Sequence, residues 1–177
     1  MQKTAYALRA NLVVVVVLAG FAVCAHAQKG WTRYSPEGGN FSVLMPGNPK
    51  VEVENKIGPF GAYTSNLFSE TKAGTFYLIG WTDYPTNVTL DVQGEINATR
   101  DNFIKSVNGR LIAEKEISLD GHPGLEFTAE MNSKFFVTSR IYVVGNRPYQ
   151  ILAVTPKYSG QTDANRFLWS FRLDVKQ

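Results

Sequence analysis

Apolar and polar residues alternate with a period of two along most of this chain, in short runs separated by turn residues. The pattern predicts strands at 41–45, 51–53, 62–69 and 75–83, because successive side chains of a strand point to opposite faces of a sheet. Gly38-Gly39, Pro46-Gly47-Asn48-Pro49 and Gly58-Pro59 punctuate the first of these runs. Between 91 and 107 the period lengthens. Val92, Ile96, Phe103 and Val107 recur at helical spacing, while Gln93, Asn97, Arg100, Asp101 and Lys105 lie off that stripe. An amphipathic helix resting on a sheet is predicted there, with Gly109 suited to its stop. The same stripe could serve a partner, but globular helices ordinarily bury it in their own core.

After this helix, runs at 111–119, 125–131, 135–144 and 149–155 read as a four-strand meander. Its register follows from side-chain parity. With Asn132, Ser133 and Lys134 as a three-residue loop, Met131 faces Phe135, Ala129 faces Val137, Phe127 faces Ser139 and Leu125 faces Ile141. A two-residue loop would set Leu125 against Arg140 and Met131 against Lys134, and a one-residue slip turns every side chain to the wrong face. The accepted register places Glu126 opposite Arg140 and predicts a cross-strand ion pair, of modest value if exposed. A short helix at 163–170, capped by Thr162 or Asp163, and a last extended run at 171–175 complete the pattern. The order implies an α+β fold: a largely antiparallel sheet flanked by helices.

The N-terminus follows a different plan. Lys3 and Arg9 stand without an acid before the apolar run 12–24, and Ala25-His26-Ala27 offers small residues at the subsites of a signal peptidase. Residues 1–27 therefore read as a removable signal peptide, cut before Gln28, with 28–177 as one exported, periplasmic or extracellular domain. A membrane anchor would need roughly 20 apolar residues, and this run has 13. A lipoprotein would use Cys24, but Val23 precedes it where a small residue is wanted. Removal of the signal takes Lys3, Arg9, His26 and Cys24 with it, so the formal charge falls from +3 to +1 and no cysteine remains. A domain of that size can be stabilised by its core alone. Without a Lys/Arg cluster it lacks the electrostatic footprint of a nucleic-acid-binding protein.

Several short stretches carry a resemblance. Phe41-Ser42-Val43-Leu44-Met45-Pro46, Gly121-His122-Pro123-Gly124-Leu125-Glu126, Arg140-Ile141-Tyr142 leading to Tyr149-Gln150-Ile151-Leu152, and Phe167-Leu168-Trp169-Ser170-Phe171 together resemble the PsbP-like group of small exported domains. The resemblance runs over most of 28–177 and implies an α-β-α sandwich used as a binding or assembly module. Its motifs are structural, so a specific partner does not follow from them.

Catalytic chemistry finds little to build on. His122 is the one histidine after the signal and lies in the tight turn Asp120-Gly121-His122-Pro123-Gly124, where a surface role is the ordinary one. No residues are assigned as catalytic, cofactor-binding or metal-ligating: zinc spacing, an EF-hand loop, a P-loop and a G-x-G-x-x-G motif are all missing from the sequence. Glu126 and Glu130 share one strand face and are the paired carboxylates a hydrolase acting on an envelope polymer would want. The aromatics Trp31, Tyr34, Trp81, Tyr84, Tyr142, Tyr149 and Trp169 serve either core or contact surface. Trp81 and Tyr84, where a strand enters a loop, and Arg140 are the expected partner-binding residues. The reading that follows is a non-catalytic exported module that binds a protein or a small apolar ligand; the alternative is the hydrolase.

Overall fold

A computed structural model describes residues 30–58 and 61–174; the predicted signal peptide and Val175, in the last predicted run, lie outside the described residues. Seven strands form one antiparallel sheet. They are β3 (Lys50–Gly58), β4 (Gly61–Lys72), β5 (Thr75–Asp83), β6 (Arg110–Leu119), β7 (His122–Met131), β8 (Phe135–Val144) and β9 (Arg147–Pro156), in the order β3-β4-β5-β9-β8-β7-β6. A smaller sheet joins β1 (Thr32–Tyr34), β2 (Phe41–Met45) and β10 (Arg172–Leu173), with β2 in the middle. The helices are α1 (Val92–Ser106) and α2 (Thr162–Trp169). The fold is thus mostly antiparallel sheet with two short helices, and helix covers less of it than the sequence pattern suggests.

Each face of the large sheet carries its own core. Leu78, Leu125, Phe127, Ala129, Ile141 and Leu152 point to one side, where Ile96 and Phe103 of α1 close over them. Tyr77, Ile79, Trp81, Tyr149, Ile151 and Ala153 point to the other, against Ala164, Phe167 and Leu168 of α2 and Phe41, Val43 and Met45 of β2. β5 and β9 lie between both layers, which is why they read as nearly unbroken apolar runs rather than alternating ones. The outer strands β3 and β6 are mostly exposed.

The meander register agrees with the parity argument: Met131 pairs with Phe135, Ala129 with Val137, Phe127 with Ser139, Leu125 with Ile141 and Glu126 with Arg140. Asn132 and Ser133 take φ of 54° and 55°, the left-handed turn that the three-residue loop needs. Two helix ends differ from expectation. Asn108, at φ 47°, makes the left-handed exit from α1 ahead of Gly109. Thr162 is already helical, and Gln161 stands at the N-cap of α2 without a side-chain hydrogen bond, so neither Thr162 nor Asp163 caps it. β3 and β4 also run longer than their apolar alternation, since the hairpin between them is held by backbone pairing through polar positions.

Candidate binding surface

Arg140 lies in the middle of β8 on the α2 side of the sheet and is only 4% exposed. Its Nε donates to Glu126 Oε2 at 2.6 Å, and Nη1 donates to the Leu168 carbonyl near the end of α2 at 3.4 Å. Nη2 approaches the same Glu126 oxygen to 2.6 Å without hydrogen-bond alignment. Lys115, from β6, reaches the other oxygen at 2.9 Å. Burial by itself would raise the Glu126 carboxyl, but hydrogen bonds from Lys115 and Arg140 outweigh it and hold the group below the usual carboxylate range. The expected ion pair is present, and it is far more enclosed than a surface pair.

Over this guanidinium stacks the indole of Trp169, with Arg140 Cζ 3.5 Å from its ring centroid. Trp169 is nevertheless 59% exposed. The α2 sequence explains it: Ala164, Phe167 and Leu168 occupy the buried stripe, and Trp169, two positions after Phe167, falls on the opposite side. The indole is thus presented to solvent on a rigid support. A shallow groove of about 220 Å³, lined by Ala113, Glu114, Lys115, Glu126, Phe127 and Thr128, lies along β6 and β7, sharing Lys115 and Glu126 with the Arg140 network.

The other expected binding residues are elsewhere. Trp81 belongs to the core: it is 3% exposed, stacks on Phe68, meets Phe41 edge-on and donates its Nε1–H to Asp83 at 2.9 Å. It lies two residues before the end of an interior strand, between β4 and β9, so the loop after that strand does not uncover it. Tyr84 is half-buried on the α1 side, where its hydroxyl donates to Glu95 Oε1 at 3.3 Å. The structure therefore does not bring Trp81, Tyr84 and Arg140 into one site. Glu126 and Glu130 do share a face of β7, but each carboxylate is held by two cations: Glu130 by Lys157 and Arg110.

A second concavity, about 370 Å³, opens where three turns meet; Asn40, Asp120, His122, Val144, Arg147, Tyr149, Leu173 and Asp174 line it. Asp120 and Gly121, at φ 50° and 81°, form the two-residue turn that brings His122 to the start of β7. Arg147 is committed to Asp83, through Nε at 2.7 Å, and to the Gly38 carbonyl, through Nη1 at 2.7 Å. The Tyr149 hydroxyl donates to the Gly39 carbonyl at 2.9 Å, and burial raises its pKa. Sequence reasoning left His122 alone because Asp174, Asn40 and Arg147 are distant in the chain. The cleft offers polar groups for binding, with no serine, threonine or cysteine nucleophile among its lining residues. Among the described residues no group of three or more His, Cys, Asp or Glu is placed to hold a metal, and no helix is long and apolar enough to cross a membrane.

No family model and no curated protein matches this chain. Among solved structures it is similar to the solution structure of cyanobacterial PsbP (CyanoP) from Synechocystis sp. PCC 6803, with a TM-score of 0.52 and 15% identity over 88% of this chain and 98% of that one. A crystal structure from Bacteroides thetaiotaomicron VPI-5482 is matched at a TM-score of 0.43 and 13% identity, over 81% of this chain and 48% of that one. At such identity the first likeness speaks for the fold and nothing further: the chain has a PsbP-like fold.

Proposed function

We propose that this chain is an exported, non-catalytic binding or assembly module that meets its partner, a protein or a small apolar ligand, through the Trp169–Arg140 surface. The signal-like residues 1–27 support export to a periplasm or to the outside of a cell. The PsbP-like fold supports an α-β-α sandwich used as a module. The observation that carries the reading is Trp169: a large aromatic left 59% exposed yet held by a guanidinium at 3.5 Å. A ring fixed before contact loses little side-chain entropy on binding, and tryptophan and arginine are the residues over-represented among energetic anchors of interfaces. The test is native capture from the source's envelope or secreted fraction, with proteins and small molecules read together by mass spectrometry. The binder should be lost with Trp169→Ala and retained with Tyr158→Ala, an exposed aromatic away from the groove; equal capture by both variants overturns the reading.

A second reading rests on a different observation. Asp120 and Asp174 line the same cleft, beside His122. Two carboxyl groups facing one cavity are what an acid-based hydrolase acting on an envelope polymer requires. Turnover of such a polymer that disappears in both Asp120→Asn and Asp174→Asn would favour it; an activity unaffected by either would remove it.

A further inference from the structure

The two outer strands of the large sheet differ in how they are left. β6 is interrupted, its register against β7 shifting between Leu111 and Ala113, and a bulge of that kind twists an edge away from further pairing. β3 has no such break. It pairs with β4 continuously from Lys50 opposite Ser69 to Gly58 opposite Gly61, and among the described residues no strand meets its outer side. Of the seven exposed large hydrophobic residues among those described, three stand on it: Val51 at 52%, Val53 at 57% and Ile57 at 90% exposed. Their odd positions put them in one stripe on the face that carries Phe68. On the other face the charges alternate in sign by pairs, with Lys50 bridging Glu52 at 2.5 Å and Lys56 bridging Glu54 at 2.7 Å.

We propose that β3 is the seam of a two-fold dimer of this chain, in which β3 pairs antiparallel with β3 of a second copy about Asn55. Asn55 then lies opposite Asn55, Val53 opposite Ile57, and Glu54 opposite Lys56, each pair occurring twice except the central one. Every apolar side chain of the paired segment meets an apolar one, and every charge of the central pairs meets its opposite. Other registers are less consistent. Centring on Glu54 sets that carboxylate against its own copy. Centring on Val53 sets Lys50 against Lys56 and Glu52 against Glu54. A shift of one residue sets Val53 against Lys56 and loses the facial match. The charges that commonly keep an edge strand from pairing are here self-complementary, and the second copy gives the exposed backbone groups of β3 partners for hydrogen bonds.

Sedimentation or light scattering of the full chain should give twice the chain mass in the micromolar range. Glu54→Lys and Lys56→Glu should each return it to the single-chain mass, by opposing like charges twice across the seam, and the double exchange should restore the dimer. All of these side chains are on the exposed strand, so the core is unaffected. In a Cys24→Ser background, Asn55→Cys should form a disulfide-linked dimer on mild oxidation, while Glu52→Cys, which falls opposite Gly58, should not. A single-chain mass at every concentration, together with no crosslink through position 55, overturns the proposal. So does a dimer that survives both single charge reversals, since it would use another surface.

Discussion

Glu95 is the residue whose setting is least expected from its chemistry. It lies in the first turn of α1 at 0% exposure, facing the sheet, with Oε1 taking the Tyr84 hydroxyl and Oε2 without a hydrogen-bond partner. Burial pushes its carboxyl up to about 7, against an ordinary 4.5, and the hydrogen bond from Tyr84 opposes only part of that. A carboxyl whose pKa is raised on folding binds more protons folded than unfolded through that interval, so its contribution falls as pH rises from 4.5 to about 7. The interval corresponds to roughly 3 kcal/mol at full ionisation. Glu95→Gln should therefore be more stable than the wild type above neutrality, by up to about that amount, and close to it near pH 4.5, as read from urea unfolding at both pH values. Arg140 has the opposite character, a buried cation with partners. Arg140→Met should cost about 2 kcal/mol, less than a fully buried pair because Lys115 still faces Glu126, and should free the Trp169 ring, detectable as a change in tryptophan fluorescence anisotropy.

At the scale of elements, caps and loops decide where each piece starts and how it faces. The Asp91 side chain accepts from the Gly94 N–H at 3.2 Å and closes the first turn of α1. Asp91→Ala should lower stability by about 1 kcal/mol in chemical unfolding, without changing the register of the sheet beneath. The 132–134 loop controls more. Removing Phe135 while the three-residue loop is kept would set Arg140 against Phe127 and Ile141 against Glu126. Because such a slip exposes one face of a core strand, the deletion should abolish the cooperative thermal transition seen by circular dichroism. The loop was legible from the sequence, since side-chain parity is a local signal. The left-handed turn at Asn108 was not, because Gly109 beside it carries the stronger prior. β1 was missed for a related reason: three residues are too few to show a period.

For the molecule as a whole, stability rests on two apolar layers separated by one sheet, and no described residue is a cysteine. The midpoint of thermal unfolding should accordingly be the same with and without a thiol reductant; a drop on reduction would reveal a covalent link between chains through Cys24. The sheet also explains why functional residues were harder to place than core ones. Burial on a strand follows parity, but whether the outward-facing side is covered depends on what packs there. Trp81 follows its strand into the second core, beneath β2, whereas Trp169 stays outside because α2 turns it away from that core. The 370 Å³ cleft arises from turns far apart in sequence, so its lining had no local signature.

The sequence by itself determined the strand runs, the amphipathic α1, the meander register and the Glu126–Arg140 pairing. Each follows from side-chain periodicity, which a chain cannot change without turning apolar groups to water. Tertiary structure alone decided which aromatics are covered, that Arg140 is buried beneath Trp169, that His122 stands with Asp120 and Asp174, and that no described strand covers the outer side of β3 while β6 is blunted by a bulge. Those outcomes depend on which layers meet, a property of the packing of distant segments that no local pattern contains.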